Sequence, residues 1–351
     1  MFLRNAWYVA AFVGEVNREP LARTLLNDKI VLFRTEDGTS VALEDRCCHR
    51  ALPLSMGKCV GDNLQCGYHG LKFDQSGQCV EVPGQVNIPP DASVRSYPLV
   101  ERWNWMWIWM GDPARADETL IPNWFWADHP EWACIQGCDG TPMYTKCNFE
   151  LITDNLQDVS HLTFIHASSI GSSAVCEVPP KTTRSEREIT ADRWIPDMPP
   201  APFWQKAGGF RGNVDRWLIS TTILPSCTVN DAGSVAVGSD PRPGHRDQGV
   251  EMRVLNAPTP ETETTTHYFY QHARGFEVDN PEWDEIYRTQ FTDVFLEDKV
   301  VLEAQQESLS RNPDAAMIDI NDDAPSIAIR NALLAAIAAE QTEHSRSAAA
   351  E

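Results

Sequence analysis

The sequence is short of basic charge. Its 29 Lys and Arg stand against 50 Asp and Glu, a formal net charge of -21, and a surface that neutralises phosphates needs clustered cations. A nucleic-acid partner is therefore not expected. Long apolar runs are lacking as well. The most hydrophobic stretch, 103–110, covers eight residues and is broken by Asn104, whereas a membrane helix needs roughly 20. No basic segment leading into an apolar run opens the chain, so neither a signal peptide nor a membrane span is expected. No internal repeat stands out. Half of the ten cysteines fall before residue 80 and the rest are scattered, a distribution that suits a reduced cytoplasm rather than a disulfide scaffold. With 351 residues, 42% of them hydrophobic, the chain has the length for two domains, each with its own core.

What the chain does have is a concentrated set of metal-type donors. Cys47-Cys48-His49 and Cys66-Gly67-Tyr68-His69 form a Cys-x-His pair and a Cys-x-x-His pair separated by sixteen residues. The spacing matches the ligands of a Rieske [2Fe-2S] cluster, with Cys47 and Cys66 on one iron and His49 and His69 on the other. Neutral imidazoles on one iron raise the reduction potential above that of an all-cysteine cluster, which suits a one-electron relay. Gly67 and Gly70 flank Tyr68-His69 and let backbone N–H groups approach the cluster sulfurs. A structural Cys2His2 zinc site uses the same residue types and stays open, although zinc fingers pair cysteine with cysteine. Cys48 sits beside the cluster without binding it, and Cys59 and Cys79 have no ligand spacing.

Residues 1–130 read as an all-β module, with strands at 6–10, 30–34, 40–44, 71–74 and 80–82 between turn signals such as Glu36-Asp37-Gly38. Residues 102–110 alternate as one further strand, with Trp103, Trp105, Trp107 and Trp109 on one face as core. Residues 131–340 form the second domain and 341–351 a disordered tail. In the second domain, 148–168 reads as a helix in which Asn155, Asp158 and His161 share a face. His166 lies about 140° from His161 in a regular helix, so convergence needs a π-bulge, a helix end or a bend. Strands are expected at 217–224, 235–238, 250–256 and 264–271. The cap and proline in Asp279-Asn280-Pro281-Glu282 open a helix to about residue 310. Asp298 falls on its apolar stripe, where a carboxylate is costly unless paired or metal-bound, and Glu297 faces solvent. His161, His166 and Asp298 make the two-histidine, one-carboxylate set of mononuclear non-haem iron. Buried, satisfied histidines are the competing reading. Asn230 and His267 are candidates to anchor a carboxylate or sulfonate in a pocket, or else satisfied buried polar groups.

The chain resembles the terminal oxygenase subunits of Rieske non-haem iron oxygenases, in the group of vanillate O-demethylase, toluenesulfonate methyl-monooxygenase and dicamba demethylase. The matching text is Asn5-Ala6-Trp7-Tyr8-Val9-Ala10, Cys47-Cys48-His49-Arg50, 66–73, Trp107-Ile108-Trp109-Met110-Gly111-Asp112-Pro113 and 154–166, with a looser match at Thr259-Pro260-Glu261-Thr262-Glu263. The resemblance implies an α+β fold, in which an all-β Rieske domain precedes a catalytic domain with a large antiparallel sheet and flanking helices. It also implies a ring-shaped homotrimer, a [2Fe-2S] cluster, a mononuclear Fe(II), O2, and a small aromatic acid as substrate. A separate NAD(P)H-dependent reductase with flavin and an iron–sulfur cluster is implied too, because this chain has no nicotinamide or flavin fingerprint. Electrons would cross between subunits from His69 through Asp158 to His161, the Asp158 carboxylate accepting N–H bonds from His161 and from His69 of a neighbour, with Asn155 beside them in the catalytic set. The chemistry implied is hydroxylation of a methyl or methoxy carbon. The alternative is a Rieske electron-transfer or regulatory protein whose second site is vestigial.

Overall fold

A computed structural model of the chain describes residues 1–239 and 246–348. The fold comprises two compact units, Met1–Ile121 with Thr259–Thr262, and Pro122–Pro258 with Glu263–Glu351. The division therefore falls after Ile121 rather than near residue 130. The Trp126 and Trp132 rings lie 5.3 and 5.2 Å from the Arg253 guanidinium, which holds the intervening stretch to the second unit by aromatic–cation packing. Among the described residues no helix is long and apolar enough to cross a membrane.

The first unit contains three small sheets: Trp7–Phe12 with Trp105–Trp109 and Leu99–Arg102; Leu21–Leu25 with Asp28–Arg34 and Ser40–Glu44; and the four strands Lys58–Val60, Asn63–Gln65, Lys72–Phe73 and Cys79–Glu81. The tryptophan row is core as expected at Trp105, Trp107 and Trp109, which are all but inaccessible. The single strand expected over 102–110 is instead a hairpin. Trp103 and Asn104 turn the chain with φ of 58° and 65°, a left-handed pair that matches the twist of a two-residue hairpin. Trp103 thus sits in the turn, off the buried face.

The second unit is built on an antiparallel sheet. Its strands run in the order Ala133–Gln136, Thr265–Arg274, Val250–Thr262, Cys227–Ala236, Val214–Ile223, Glu188–Met198 and Lys181–Arg184, with Met143–Thr145 also pairing Thr265–Arg274. Side chains alternate across a strand. Val214 and Leu218, Ala232, Met252 and Val254, and Tyr268 and Tyr270 therefore line one face, where they pack on Leu156, Val294 and Phe295 from helices.

The helix read over 148–168 is shorter than expected. It spans Phe149–Gln157, capped by Asn148, whose Oδ1 accepts the Glu150 N–H. A 3-10 turn, Val159–Thr163, follows. Asn280 caps and Pro281 opens the helix Pro281–Ile286 as expected. A π-helical stretch, Tyr287–Phe291, then leads into the helix Thr292–Arg311. The tail expected from 341 onward is helical over its described part, since one helix runs from Ala324 to Ala348. Alanine has the highest helix propensity, and the Thr342 and Ser345 hydroxyls satisfy carbonyls four residues back. Residues 349–351 lie outside the described residues.

Candidate metal centres

The two loops of the first unit repeat one backbone frame. In one, the Cys47 carbonyl accepts the Ala51 N–H at 2.9 Å and the Cys47 N–H donates to the Leu52 carbonyl at 2.9 Å. In the other, the Cys66 carbonyl accepts the Gly70 N–H at 3.1 Å and the Cys66 N–H donates to Leu71 at 2.8 Å. Residue four of each loop needs positive φ, 58° at Ala51 and 78° at Gly70, which glycine supplies without strain. Gly67 is required for space: a Cβ there would lie 2.7 Å from the Met56 carbonyl oxygen. Both cysteines are buried, while His49 and His69 are exposed with ring centroids 4.7 Å apart.

This donor set fits a [2Fe-2S] cluster. Burial pushes the Cys47 thiol up to about 11, and backbone N–H groups of His49 and Arg50, aimed at its sulfur, pull the other way. Such N–H groups are the donors that anionic cluster sulfurs need. Among the described residues these four ligands do not converge within 4.8 Å of one another, as the four donors of a single tetrahedral zinc must. None of the ten cysteines forms a disulfide.

The set that does converge is His161, His166 and Asp298 in the second unit. His161 comes from the 3-10 turn, His166 from the loop after it, and Asp298 from the helix Thr292–Arg311. A helix end, one of the geometries the spacing demanded, thus brings the two imidazoles together, with ring centroids 5.3 Å apart. The nearest Asp298 oxygen is 3.6 Å from His161 Nε2 and 3.0 Å from His166 Nε2. In both rings the other nitrogen is occupied: His161 Nδ1 bonds the Asp158 carbonyl at 2.6 Å, and His166 Nδ1 bonds Glu297 Oε2 at 2.7 Å. Each pairing fixes the tautomer that turns Nε2 toward a shared point. Burial lowers the pKa of His161; for His166 burial is outweighed by Asp298 and then Glu297, which raise it. Asn155 Nδ2 donates to Asp298 at 3.2 Å and steadies the carboxylate.

Two expectations are corrected here. Glu297 does not face solvent alone: neighbouring residues on a helix diverge by about 100°, yet the Glu297 side chain is long enough to reach His166 from the edge of the stripe. The Asp158 carboxylate accepts the Ser160 N–H at 2.9 Å, so it caps the 3-10 turn. The bond to His161 comes from the Asp158 backbone carbonyl instead, because the turn aims that carbonyl back at the third residue.

An apolar cavity of about 90 Å³ opens beside this set, walled by Leu156, Leu218, Val254 and Phe295 among others. Asn230 lines it, but its amide is engaged with the Leu156 carbonyl, Ser220 Oγ and Asn256. His267 does not line it. On its strand Tyr268 and Tyr270 face the core with Phe295, so His267 points to the opposite face, where its ring meets Tyr144. Arg216, which sequence reasoning passed over, does line the cavity.

Residues 6–98 match the Rieske [2Fe-2S] domain model, and residues 145–339 match the vanillate O-demethylase oxygenase C-terminal domain. A putative toluene-4-sulfonate monooxygenase system iron-sulfur subunit from Comamonas testosteroni is 41% identical over 92% of this chain and 94% of its own. The vanillate O-demethylase oxygenase subunit of a Pseudomonas strain is 35% identical over 97% and 96%. A crystal structure of dicamba monooxygenase with non-heme iron and dicamba superposes with a TM-score of 0.84 at 33% identity, covering 97% of this chain and 99% of that one. With these matches at both ends of the chain, it belongs to the Rieske non-haem iron oxygenases, as an oxygenase component that carries a [2Fe-2S] cluster and a mononuclear iron and draws electrons from a separate reductase.

Proposed function

We propose that the protein hydroxylates the methyl or methoxy carbon of a small aromatic acid, as the oxygenase component of a two-component O-demethylase or methyl-monooxygenase. The observation that carries this reading is the apolar cavity walled at one end by His161, His166 and Asp298. On this reading Cys47 and Cys66 hold one cluster iron, His49 and His69 the other, and His161, His166 and Asp298 the mononuclear iron. The mononuclear iron, when bound, supplies dioxygen activation, with electrons fed one at a time from the cluster. The chain's own part is to orient and to exclude. Glu297 and the Asp158 carbonyl hold the two imidazoles with Nε2 outward, Asn155 steadies Asp298, and the apolar walls keep water from the reacting carbon. A methoxyarene, O2, two electrons and two protons would give a hemiacetal and water; the hemiacetal then breaks its C–O bond to leave a phenol and formaldehyde.

The electrons come from a reductase carrying flavin and an iron–sulfur cluster, and the chain works as a homotrimer in which His69 of one protomer passes them through Asp158 of the next to His161. Asp158→Asn should keep both metal contents, because an amide oxygen can still cap the Ser160 N–H and the backbone carbonyl that holds His161 is untouched, while slowing cluster reoxidation roughly tenfold or more through loss of the carboxylate's proposed contact with His69 of the other protomer. Single-turnover reoxidation with substrate and O2 measures this, and a near-normal rate in a fully metallated variant would remove Asp158 from the path. For the activity itself, methoxybenzoates, arylsulfonates and methylated heterocycles are assayed with reductase for formaldehyde or alcohol. A methoxybenzoate should yield formaldehyde and phenol in equal amounts. Absence of any product from a fully metallated protein across the panel would favour an electron-transfer role.

A further inference from the structure

Arg216 is a buried cation that the scheme above leaves without a task. It comes from the strand Val214–Ile223, on the face it shares with Val214 and Leu218, and is 2% exposed. A guanidinium withdrawn from water is costly unless acceptors or an anion replace its hydration. Here Nη2 donates to the Ile170 carbonyl at 3.1 Å, but Nε and Nη1 have no hydrogen-bond partner. Among the described residues no carboxylate forms an ion pair with it. Asp298, the carboxylate on the same cavity wall, is taken up by Asn155, His161 and His166. The Trp204 ring lies 5.6 Å from the guanidinium carbon, and its indole Nε1, on a residue that also lines the cavity, is likewise unbonded. Burial pushes the guanidinium down to about 10, so it stays charged at neutral pH.

We propose that Arg216 anchors the anionic group of the substrate, a carboxylate or sulfonate on the aromatic ring, with the Trp204 indole N–H as a second donor. The inference takes its aromatic ring from the function proposed above, and its anion from the unpaired cation. An acid then fits for two reasons: its ring replaces water against the apolar wall, and its oxyanion completes the buried charge. A neutral isostere satisfies the first and leaves Arg216 unpaired, the asymmetry that gives polar pockets their selectivity. The competing role is mechanical, a prop under Ile170 with no part in binding.

Calorimetric titration of the metallated protein with 4-methoxybenzoate, 4-methylbenzenesulfonate and their neutral amides separates the two. The wild type should bind the better acid roughly 50-fold tighter than its amide, and the two acids show which oxyanion the site prefers. Arg216→Gln should bring that ratio close to one with amide affinity little changed, and Arg216→Lys should restore part of it. Equal wild-type affinity for acid and amide, or an unaltered ratio in a metallated Arg216→Gln protein, would overturn the proposal. The wild-type comparison decides the matter if the variant misfolds. Acids that bind through Arg216 yet give no product count against the proposed reaction and leave the anchor standing. Formaldehyde formed equally well from acid and neutral ethers does the reverse.

Discussion

His49→Ala is expected to yield a protein without Rieske absorption, with the cluster irons and acid-labile sulfide lost and no turnover with the reductase. The argument is one of geometry. His49 is exposed, so its removal costs the fold little. The loop that carries it is held by backbone bonds at Cys47, Ala51 and Leu52, which the substitution does not touch. What disappears is one of the two neutral ligands proposed for one cluster iron. Cys48→Ala is the control: its thiol is exposed and adjacent to the loop, yet it has no place in the proposed ligand set, so colour and activity should persist. Mononuclear iron should remain in both variants, because the three residues proposed to hold it belong to the other unit. Visible absorption, with iron and sulfide analysis, reads the result, and a coloured, active His49→Ala protein would refute the assignment.

Asp298→Ala should leave the Rieske spectrum intact and bring mononuclear iron to background, with product formation abolished. Asp298 is the sole anion in the converging set, and without it two neutral imidazoles would have to hold a divalent cation beside an apolar cavity. Glu297→Gln is expected to be milder. The amide can still meet His166 but no longer as an anion, and loss of such a carboxylate–histidine contact typically weakens metal binding roughly 10- to 100-fold. Iron titrations of the two variants rank the residues. Should Glu297→Gln lose more iron than Asp298→Ala, the roles of ligand and orienting group are exchanged.

The matched frames of the Cys47 and Cys66 loops and the convergence of His161 with His166 were legible because they depend on short spacings and residue types that chemistry narrows severely, whereas Asp298, 132 residues beyond His166, was legible only as a carboxylate on an apolar stripe. The helix opened at Asn280-Pro281 was legible too, since its cap and its apolar stripe are local properties. The misreadings share a cause: they turn on where a side chain or carbonyl points after tertiary packing. Glu297 reads as solvated on a helical wheel, and only its reach across to His166 gives it a role. Asp158 and His161 do meet three residues apart, but a 3-10 turn substitutes the carbonyl for the carboxylate. His267 had the right chemistry on the wrong face of its strand, a one-residue matter of phase. Arg216 offered a signal that went unused, a lone arginine in an otherwise apolar alternation, Val214-x-Arg216-x-Leu218. The chain divides after Ile121 rather than near 130 because Trp126 and Trp132 find Arg253, and that pairing spans too much sequence to be foreseen.

The π-helical stretch Tyr287–Phe291 ties the mononuclear site to arithmetic as well as to chemistry. A π turn houses one residue more than an α turn, so each residue after it sits about 100° behind its place in a continuous α-helix of the same length. Asp298 meets the histidines in that set-back phase. Were the stretch to tighten into an ordinary helix with its length unchanged while Pro281–Ile286 kept its seat, Glu297 would arrive where Asp298 now stands. Losing one residue between 287 and 291 would do no such harm, because the tightened turn and the missing residue cancel and Asp298 keeps its place. Losing one residue between 292 and 297 has nothing to cancel it, and brings Lys299 to the histidines, a cation to a cation's site. The wide turn is therefore the one place in this helix where a single deletion should spare the mononuclear iron.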